Sequence, residues 1–271
     1  MGRRPLIGAT DAPWLHVMTF NIRRRLPLSI RPADRWVRRR RAVEALLRIE
    51  RPSILGIQEA MPSQADAVED ALGGTYRRLG HGRGRDGQGE GCPLFWDSER
   101  LELVSGEQVA LSPTPSVAGS RGWGNPVPRI AVVARLRDRS THREIVVVNT
   151  HLDVFSRRAR LHAVRALHAM ILDAGVPGVL LGDMNARPGS ATARELWGEG
   201  LRDTWPSARR RLTSEWATFA DYRSPRRGPR IDWIGVTGGI DVASVGVNTF
   251  RTSAGWPSDH LPVHALLKVD S

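Results

Sequence analysis

Short apolar runs, each broken by Gly, Pro or charge, alternate along this chain with longer stretches of helical periodicity. Residues 14–20 (WLHVMTF) alternate as a strand does. Residues 33–50 place Trp36, Val37, Val43, Leu46, Leu47 and Ile49 at roughly helical spacing. Pro52 follows, so the spacing predicts a helix there. Residues 54–57 read as a short buried strand, and 62–72 as a helix stopped by Gly73-Gly74. Strands are expected at 76–79 and 94–96, either side of a Gly/Arg loop, and at 101–111 and 130–137. The Pro/Ser/Gly-rich stretch 112–128 reads as an ordered surface loop. The β-branched run 145–148 is a strand, and 156–173 is a helix capped by Ser156 with Leu161, Val164, Leu167 and Ile171 on one face. Strands at 179–181, 231–236, 242–247 and 261–269 complete the set. Strands spread through the whole chain with helices between them. This predicts one α/β domain over 14–271 behind a short N-terminal segment, 1–13.

Composition adjusts this picture in three ways. A chain of 271 residues is long for one domain but normal for a large α/β sandwich. The net charge is +12 and Lys268 is the sole lysine, so arginine carries nearly all the positive charge. A field of that sign attracts polyanions. It permits a nucleic-acid partner without identifying one. Cys92 is the sole cysteine, which excludes an intrachain disulfide, and beside Pro93 and Leu94 it reads as buried filler. The start, MGRRPLIGATDAPW, has positive charges but no apolar core of a signal peptide. No run approaches the ~18 apolar residues of a membrane span. A cytoplasmic protein is the default expectation, and no segment signals a protein partner.

The acids and amides carry the chemistry. Asn21 and Glu59 end strands. His151 and Asp153 follow the strand at 145–148, and Asp183 and Asn185 follow 179–181. Asp232 opens a strand, and Asp259 and His260 precede the last one. Polar groups placed repeatedly at strand ends gather at one rim of a sheet, where α/β proteins put their sites. Carboxylates crowded there repel one another unless a cation neutralises them, and oxygen donors favour Mg²⁺ or Mn²⁺. A histidine beside them can act as acid or base.

The segments Thr19-Phe20-Asn21-Ile22-Arg23, Ile57-Gln58-Glu59, Asn149-Thr150-His151-Leu152-Asp153, Gly182-Asp183-Met184-Asn185, Arg230-Ile231-Asp232-Trp233-Ile234 and Ser258-Asp259-His260-Leu261-Pro262 resemble, in order, the motifs of the endonuclease/exonuclease/phosphatase superfamily. The resemblance runs from about Trp14 to Val269. Gly84-Arg85-Asp86-Gly87, Gly89-Glu90, Gly122-Trp123 and Arg129-Ile130 further resemble its branch of deadenylase-like bacterial members. The resemblance implies a four-layer DNase I-like sandwich of two packed mixed β-sheets flanked by helices, with the site at one end. It implies Glu59, Asn21 and Asp259 as metal ligands. Asp183 and Asn185 would position the attacking water or a second metal, His151 would hold the scissile phosphate, and Asn185 and Arg129 would also contact substrate. His260 would be the catalytic histidine, oriented and made more basic by Asp232. The implied function is divalent-metal-dependent hydrolysis of a phosphate ester. A phosphodiesterase or nuclease is the leading form, and an enzyme acting on a small-molecule or lipid headgroup phosphate is the alternative.

Some features point elsewhere. Some members carry an acid two residues after the first Asn; here Arg23 stands there, which fits a single metal better than two. Glu90 could reach substrate or satisfy its own loop, and Asp153 could brace the loop after His151. His16, His81 and His142 show no partner pattern, and Pro262 between His260 and His264 rules out a helical zinc motif. Residues 82–87 spell G-x-G-x-x-G, but no helix follows, so a dinucleotide fingerprint is rejected. No G-x-S-x-G occurs, and Ser258 beside Asp259-His260 cannot form a triad. The arginine runs at 35–41, 157–160 and 209–211 read either as solvated faces or as a phosphate-tracking surface.

Overall fold

Strict alternation along the strands decides which side chains meet between the layers. A computed structural model describes residues 4–198 and 200–270. Seven strands form one mixed sheet: β1 (Trp14–Asn21), β2 (Ile54–Gln58), β3 (Tyr76–Leu79), β4 (Leu94–Asp97), β10 (Arg210–Arg211), β12 (Ile240–Val247) and β13 (Val263–Val269). Their order is β10-β12-β13-β1-β2-β4-β3. Six strands form the other: β5 (Leu101–Ala110), β6 (Ile130–Asp138), β7 (Glu144–His151), β8 (Gly178–Asp183), β9 (Leu201–Asp203) and β11 (Asp232–Thr237), in the order β5-β6-β7-β8-β11-β9. Between the sheets, Leu15, Val17 and Ile54 pack with Val147, Leu181 and Ile234. On the outer side of the first sheet, Met18, Phe20 and Leu55 meet α1 (Trp36–Glu50) and α2 (Pro62–Leu72) through Leu46, Leu47 and Val68. On the outer side of the second, Val146, Val148 and Leu180 meet α3 (Arg157–Leu172) through Val164, Leu167 and Ile171. This is the expected four-layer arrangement of two mixed sheets flanked by helices.

Departures from the sequence reading are local. The helix expected from residue 33 begins at Trp36. Pro32–Asp34 is a separate 3₁₀ turn, because Arg35 is extended (ψ 115°) and breaks the run. Arg39, inside the run read as a solvated face or a phosphate-tracking surface, is buried. Its guanidinium donates to the carbonyls of Ile22 (2.6 Å) and Arg23 (2.9 Å) and holds the turn after β1. Between 184 and 230 the chain adds α4 (Ala191–Leu196), β9, α5 (Thr204–Ser207) and β10, too short to leave a period. Ser156 does cap α3, accepting from the Ala159 amide at 3.1 Å. Cys92 is buried, and burial pushes its thiol up to about 12, as filler requires.

His16 and His264 also depart from their reading. They stack (5.1 Å between ring centres) and hydrogen-bond through His16 Nε2 and His264 Nδ1 at 2.8 Å. His16 Nδ1 faces the Gly8 carbonyl at 2.8 Å and therefore carries the proton, so His264 Nδ1 donates to His16 Nε2. Beside them Glu50, at the end of α1, accepts from the amides of Leu6 (2.7 Å), Ile7 and Gly8 (both 3.2 Å) and from Asn248 (2.9 Å). The pair and Glu50 thus strap residues 6–8 onto the sheet.

Burial holds both rings neutral: it lowers His16 to about 4 against the pull of Glu50, and lowers His264 well below 6.5 with help from His16. The unfolded chain takes up these protons below about 6.5, and the folded chain does not until near pH 4. Stability is therefore expected to fall as pH drops through that window. Urea unfolding at pH 6.5, 5.5 and 4.5 checks this. The fall should be shallower in His16→Asn/His264→Asn, and an equally steep fall in that variant would contradict the neutral pair.

Candidate active site

One register row of each sheet builds the site. In the second sheet His151 pairs with Asp183 and Asp183 with Asp232, so three chemical side chains stand side by side across β7, β8 and β11. By the two-residue period each shares its face with core residues of its own strand: Val147, Leu181 and Ile234. In the first sheet Asn21 pairs with Gln58 at the same end and points inward with Leu15 and Val17. The two rows face each other across the end of the sandwich.

Alternation would send Glu59 to the outer face. Its backbone is left-handed (φ 60°), as is that of Arg23 (φ 55°) and Asn185 (φ 46°). Each lies one or two residues beyond a strand end, and this strained turn redirects the chain into the mouth. Gly182 allows β8 to approach β7: a Cβ there would lie 2.2 Å from the Thr150 carbonyl oxygen. Beneath the mouth, Gln58 Nε2 donates to Thr19 (3.0 Å) and Asn149 (2.7 Å), while Asn149 Nδ2 donates to the carbonyls of Ile57, Cys92 and Pro93. This polar plug ties the two sheets together under the site.

The carboxylates are close and unequally charged. Asn21 Nδ2 donates to Glu59 Oε1 and to Asp183 Oδ2, each at 3.0 Å. Burial pushes Glu59 up, but His151, the Asn21 hydrogen bond, His260 and the Arg24 amide outweigh it and hold Glu59 down at about 2. Burial and the facing Asp232 raise Asp183 above its ordinary value. Arg23 lies 3.6 Å from Glu59 and 3.5 Å from Asp259, bridging two expected metal ligands.

His260 Nδ1 stands 2.9 Å from Asp232 Oδ2, and its Nε2 lies 3.8 Å from Asp183 Oδ2. Burial works against its charge. Asp232, then Asp183 and Asp259, overcome burial and raise its pKa well above 6.5. His151 is opposite in character: burial takes it down to about 4, with Asp183 opposing. Asn185 Nδ2 donates to the His151 Nε2 lone pair at 2.9 Å.

Among the expected residues, Asn21, Glu59, His151, Asp183, Asn185, Asp232, Asp259 and His260 therefore share one mouth. Arg129 is buried beside it, 3.4 Å from Asp153, with Nη1 making no hydrogen bond among the described residues. Asp153 braces its loop by accepting from the amides of Phe155 and Ser156. Glu90 is gripped by Arg24 (2.9 Å) and Arg83 (3.0 Å). Ser258 shapes the turn, donating to the Asn21 carbonyl at 2.7 Å and accepting from the His260 amide at 3.2 Å.

The sequence reading missed Thr218, whose hydroxyl accepts from the Asp232 amide (3.1 Å) and whose carbonyl accepts from the Leu261 amide (2.7 Å), tying both sides of the His260–Asp232 pair. It also missed Phe219, edge-on to His260 at 5.2 Å. No motif marks either residue. An oxygen-rich, partly ionised set with an amide nitrogen lodged between two carboxylates suits a hard divalent cation. Glu59, Asn21, Asp183 and Asp259 are the available donors. Among the described residues, His and acid donors converge in two groups, Asp183 with Asp232 and His260 here, and His16 with Glu50 and His264. In the second, Glu50 already accepts four hydrogen bonds.

The sequence profile described as the Endonuclease/Exonuclease/phosphatase family matches residues 18–260. An endonuclease/exonuclease/phosphatase from Bacteroides vulgatus is similar in structure, with TM-score 0.87 and 28% identity, over 95% of this chain and 99% of that one. A mannosyl-6-phosphatase from Bacteroides thetaiotaomicron gives 0.87 and 26% over 93% and 99%. The human Nocturnin catalytic domain gives 0.73 and 19% over 98% and 100%, a likeness of fold. The comparison with curated proteins finds no match.

If Asp232 supplies most of the charge that keeps His260 protonated, Asp232→Asn should lower the His260 pKa, since burial is then opposed only by Asp183 and Asp259. NMR titration of the metal-free protein checks this. A pKa unchanged from wild type in Asp232→Asn would contradict the pairing.

Proposed function

The chain belongs to the endonuclease/exonuclease/phosphatase family, whose members are phosphoesterase hydrolases, and on that premise we propose that this mouth hydrolyses phosphate esters with a divalent metal. The observation that carries the reading is the in-register row of His151, Asp183 and Asp232, closed by His260. Asp183, raised by burial and Asp232, takes a proton from the attacking water. His260, held as imidazolium, donates from Nε2 to a phosphoryl oxygen as negative charge grows there. Asp232 acts through His260, fixing which nitrogen faces the substrate. His151 and Asn185 flank the phosphate, and the free Nη1 of Arg129 offers it a further donor. Glu59, Asn21 and Asp259 would hold Mg²⁺ or Mn²⁺, which supplies positive charge and Lewis acidity at the phosphate.

Two substrate classes have support. The ester of a hydroxylated small molecule is favoured by the similarity to the mannosyl-6-phosphatase and by Glu90, a fixed carboxylate at the mouth able to accept from a hydroxyl. A nuclease is favoured by the net charge of +12. Release of phosphate from mannose 6-phosphate supports the first. Cleavage of single-stranded DNA or RNA that weakens steeply between 50 and 200 mM salt supports the second.

Asp259→Ala and His260→Ala should each lower turnover by at least about 100-fold with an unchanged circular dichroism spectrum. Chelation should abolish turnover, and added Mn²⁺ should restore it. Near-wild-type turnover in either variant would sink the assignment.

A further inference from the structure

The rim of the mouth exposes aliphatic side chains that a water-facing loop has no reason to carry. Leu28 is 92% exposed, Ile30 98% and Val37 84%. All three lie just beyond Arg23, on the loop 24–31 and the first turn of α1. Salt bridges fix this loop to the mouth at both ends. Arg24 reaches Glu90 at 2.9 Å, and Arg31 reaches Asp221 at 2.6 Å, beside the Phe219–His260 contact. Arg35 Nε donates to the Ser29 carbonyl at 3.3 Å and ties the loop back to the start of α1. The loop is therefore a fixed part of the rim. Phe155, two residues after Asp153, is likewise exposed, and Phe219, beside His260, is half exposed.

Charge surrounds this apolar surface. A depression of about 650 Å³ is lined by Leu28, Trp36 and Val37 together with Arg25, Arg35 and Arg38. These three arginines are exposed, as is Arg41, one helical turn beyond Val37. Among the described residues none of the four makes an ion pair, although Asp34 and Glu44 lie on the same elements and are taken up by Arg23, Tyr222, Arg40 and Arg48. Apolar side chains standing proud of a ring of free arginines match the interface of an anionic bilayer, where the aliphatics enter the acyl boundary and the guanidinium groups meet lipid phosphates. A nucleic acid would leave Leu28, Ile30 and Val37 in water, since aliphatics offer bases no stacking face. A second copy of the chain would bring like charges together. No described helix is long and apolar enough to cross a membrane, so association through this rim is peripheral.

We infer that the rim formed by Leu28, Ile30, Val37 and the arginines around them docks the mouth onto an anionic lipid surface. Docking does not depend on which ester is cleaved, and it is read without turnover. The test is co-sedimentation of the full chain with vesicles of phosphatidylcholine alone and of phosphatidylcholine with phosphatidylglycerol, at 50 and 300 mM salt. The wild type should bind the anionic vesicles, and less at high salt. The variants L28S/I30S/V37S and R25Q/R38Q/R41Q should each bind at least about tenfold more weakly, with thermal midpoints unchanged because these side chains are exposed. Light scattering should show the same oligomeric state for wild type and the aliphatic variant. Failure of the wild type to bind anionic vesicles, undiminished binding by the aliphatic variant, or a wild-type dimer that this variant dissolves would each overturn the inference.

Discussion

Four carboxylates, Glu59, Asp183, Asp232 and Asp259, share one mostly buried corner, and their mutual repulsion is the constraint that the surrounding structure answers. Asp183 and Asp232 stand directly opposite each other in the β8–β11 ladder, a pairing that costs stability when both are ionised. His260 relieves it as an imidazolium against Asp232, Asn21 places an amide between Glu59 and Asp183, and Arg23 spans Glu59 and Asp259. A divalent cation would finish that compensation. The same crowding holds Glu59 down, raises Asp183 and keeps His260 protonated, which matches the division of roles proposed for them.

A second buried group, His16, Glu50 and His264, shows what the same residue types do when satisfied. Both rings are neutral, Glu50 accepts four hydrogen bonds, and the result is a strap for residues 6–8. Its parts come from the middle of β1, the end of α1 and β13, away from the rim where Asn21 and Glu59 lie. Local chemistry alone would not tell the two groups apart. The difference is position in the sandwich: one sits at the strand ends and the other under a helix.

Much of this was legible in the sequence for a physical reason. Strands with strong alternation and helices capped by Ser156 or stopped by Gly73 declare themselves locally. Asn21, His151, Asp183 and Asp232 could be placed at one rim because each ends or begins such a strand. The left-handed turns that swing Glu59, Arg23 and Asn185 inward carry no glycine and left no signal. The His16–His264 pair joins residues 248 apart and needs the β1–β13 register, which no local pattern encodes. Arg39 looked like one charge among five in its run, and only the turn after β1 explains its burial. The segment 184–230 holds elements of two to six residues, too short for either period, yet it supplies Thr218 and Phe219 to the site.

On this reading the strained corner, and not its satisfied counterpart, is the metal-dependent chemical centre. Calorimetric titration of Mn²⁺ into the wild type, Glu59→Gln and His264→Asn tests it directly, with folding confirmed by circular dichroism. Glu59→Gln should lose most of the binding seen in the wild type, while His264→Asn should retain it. Retained binding in Glu59→Gln with loss in His264→Asn would contradict it.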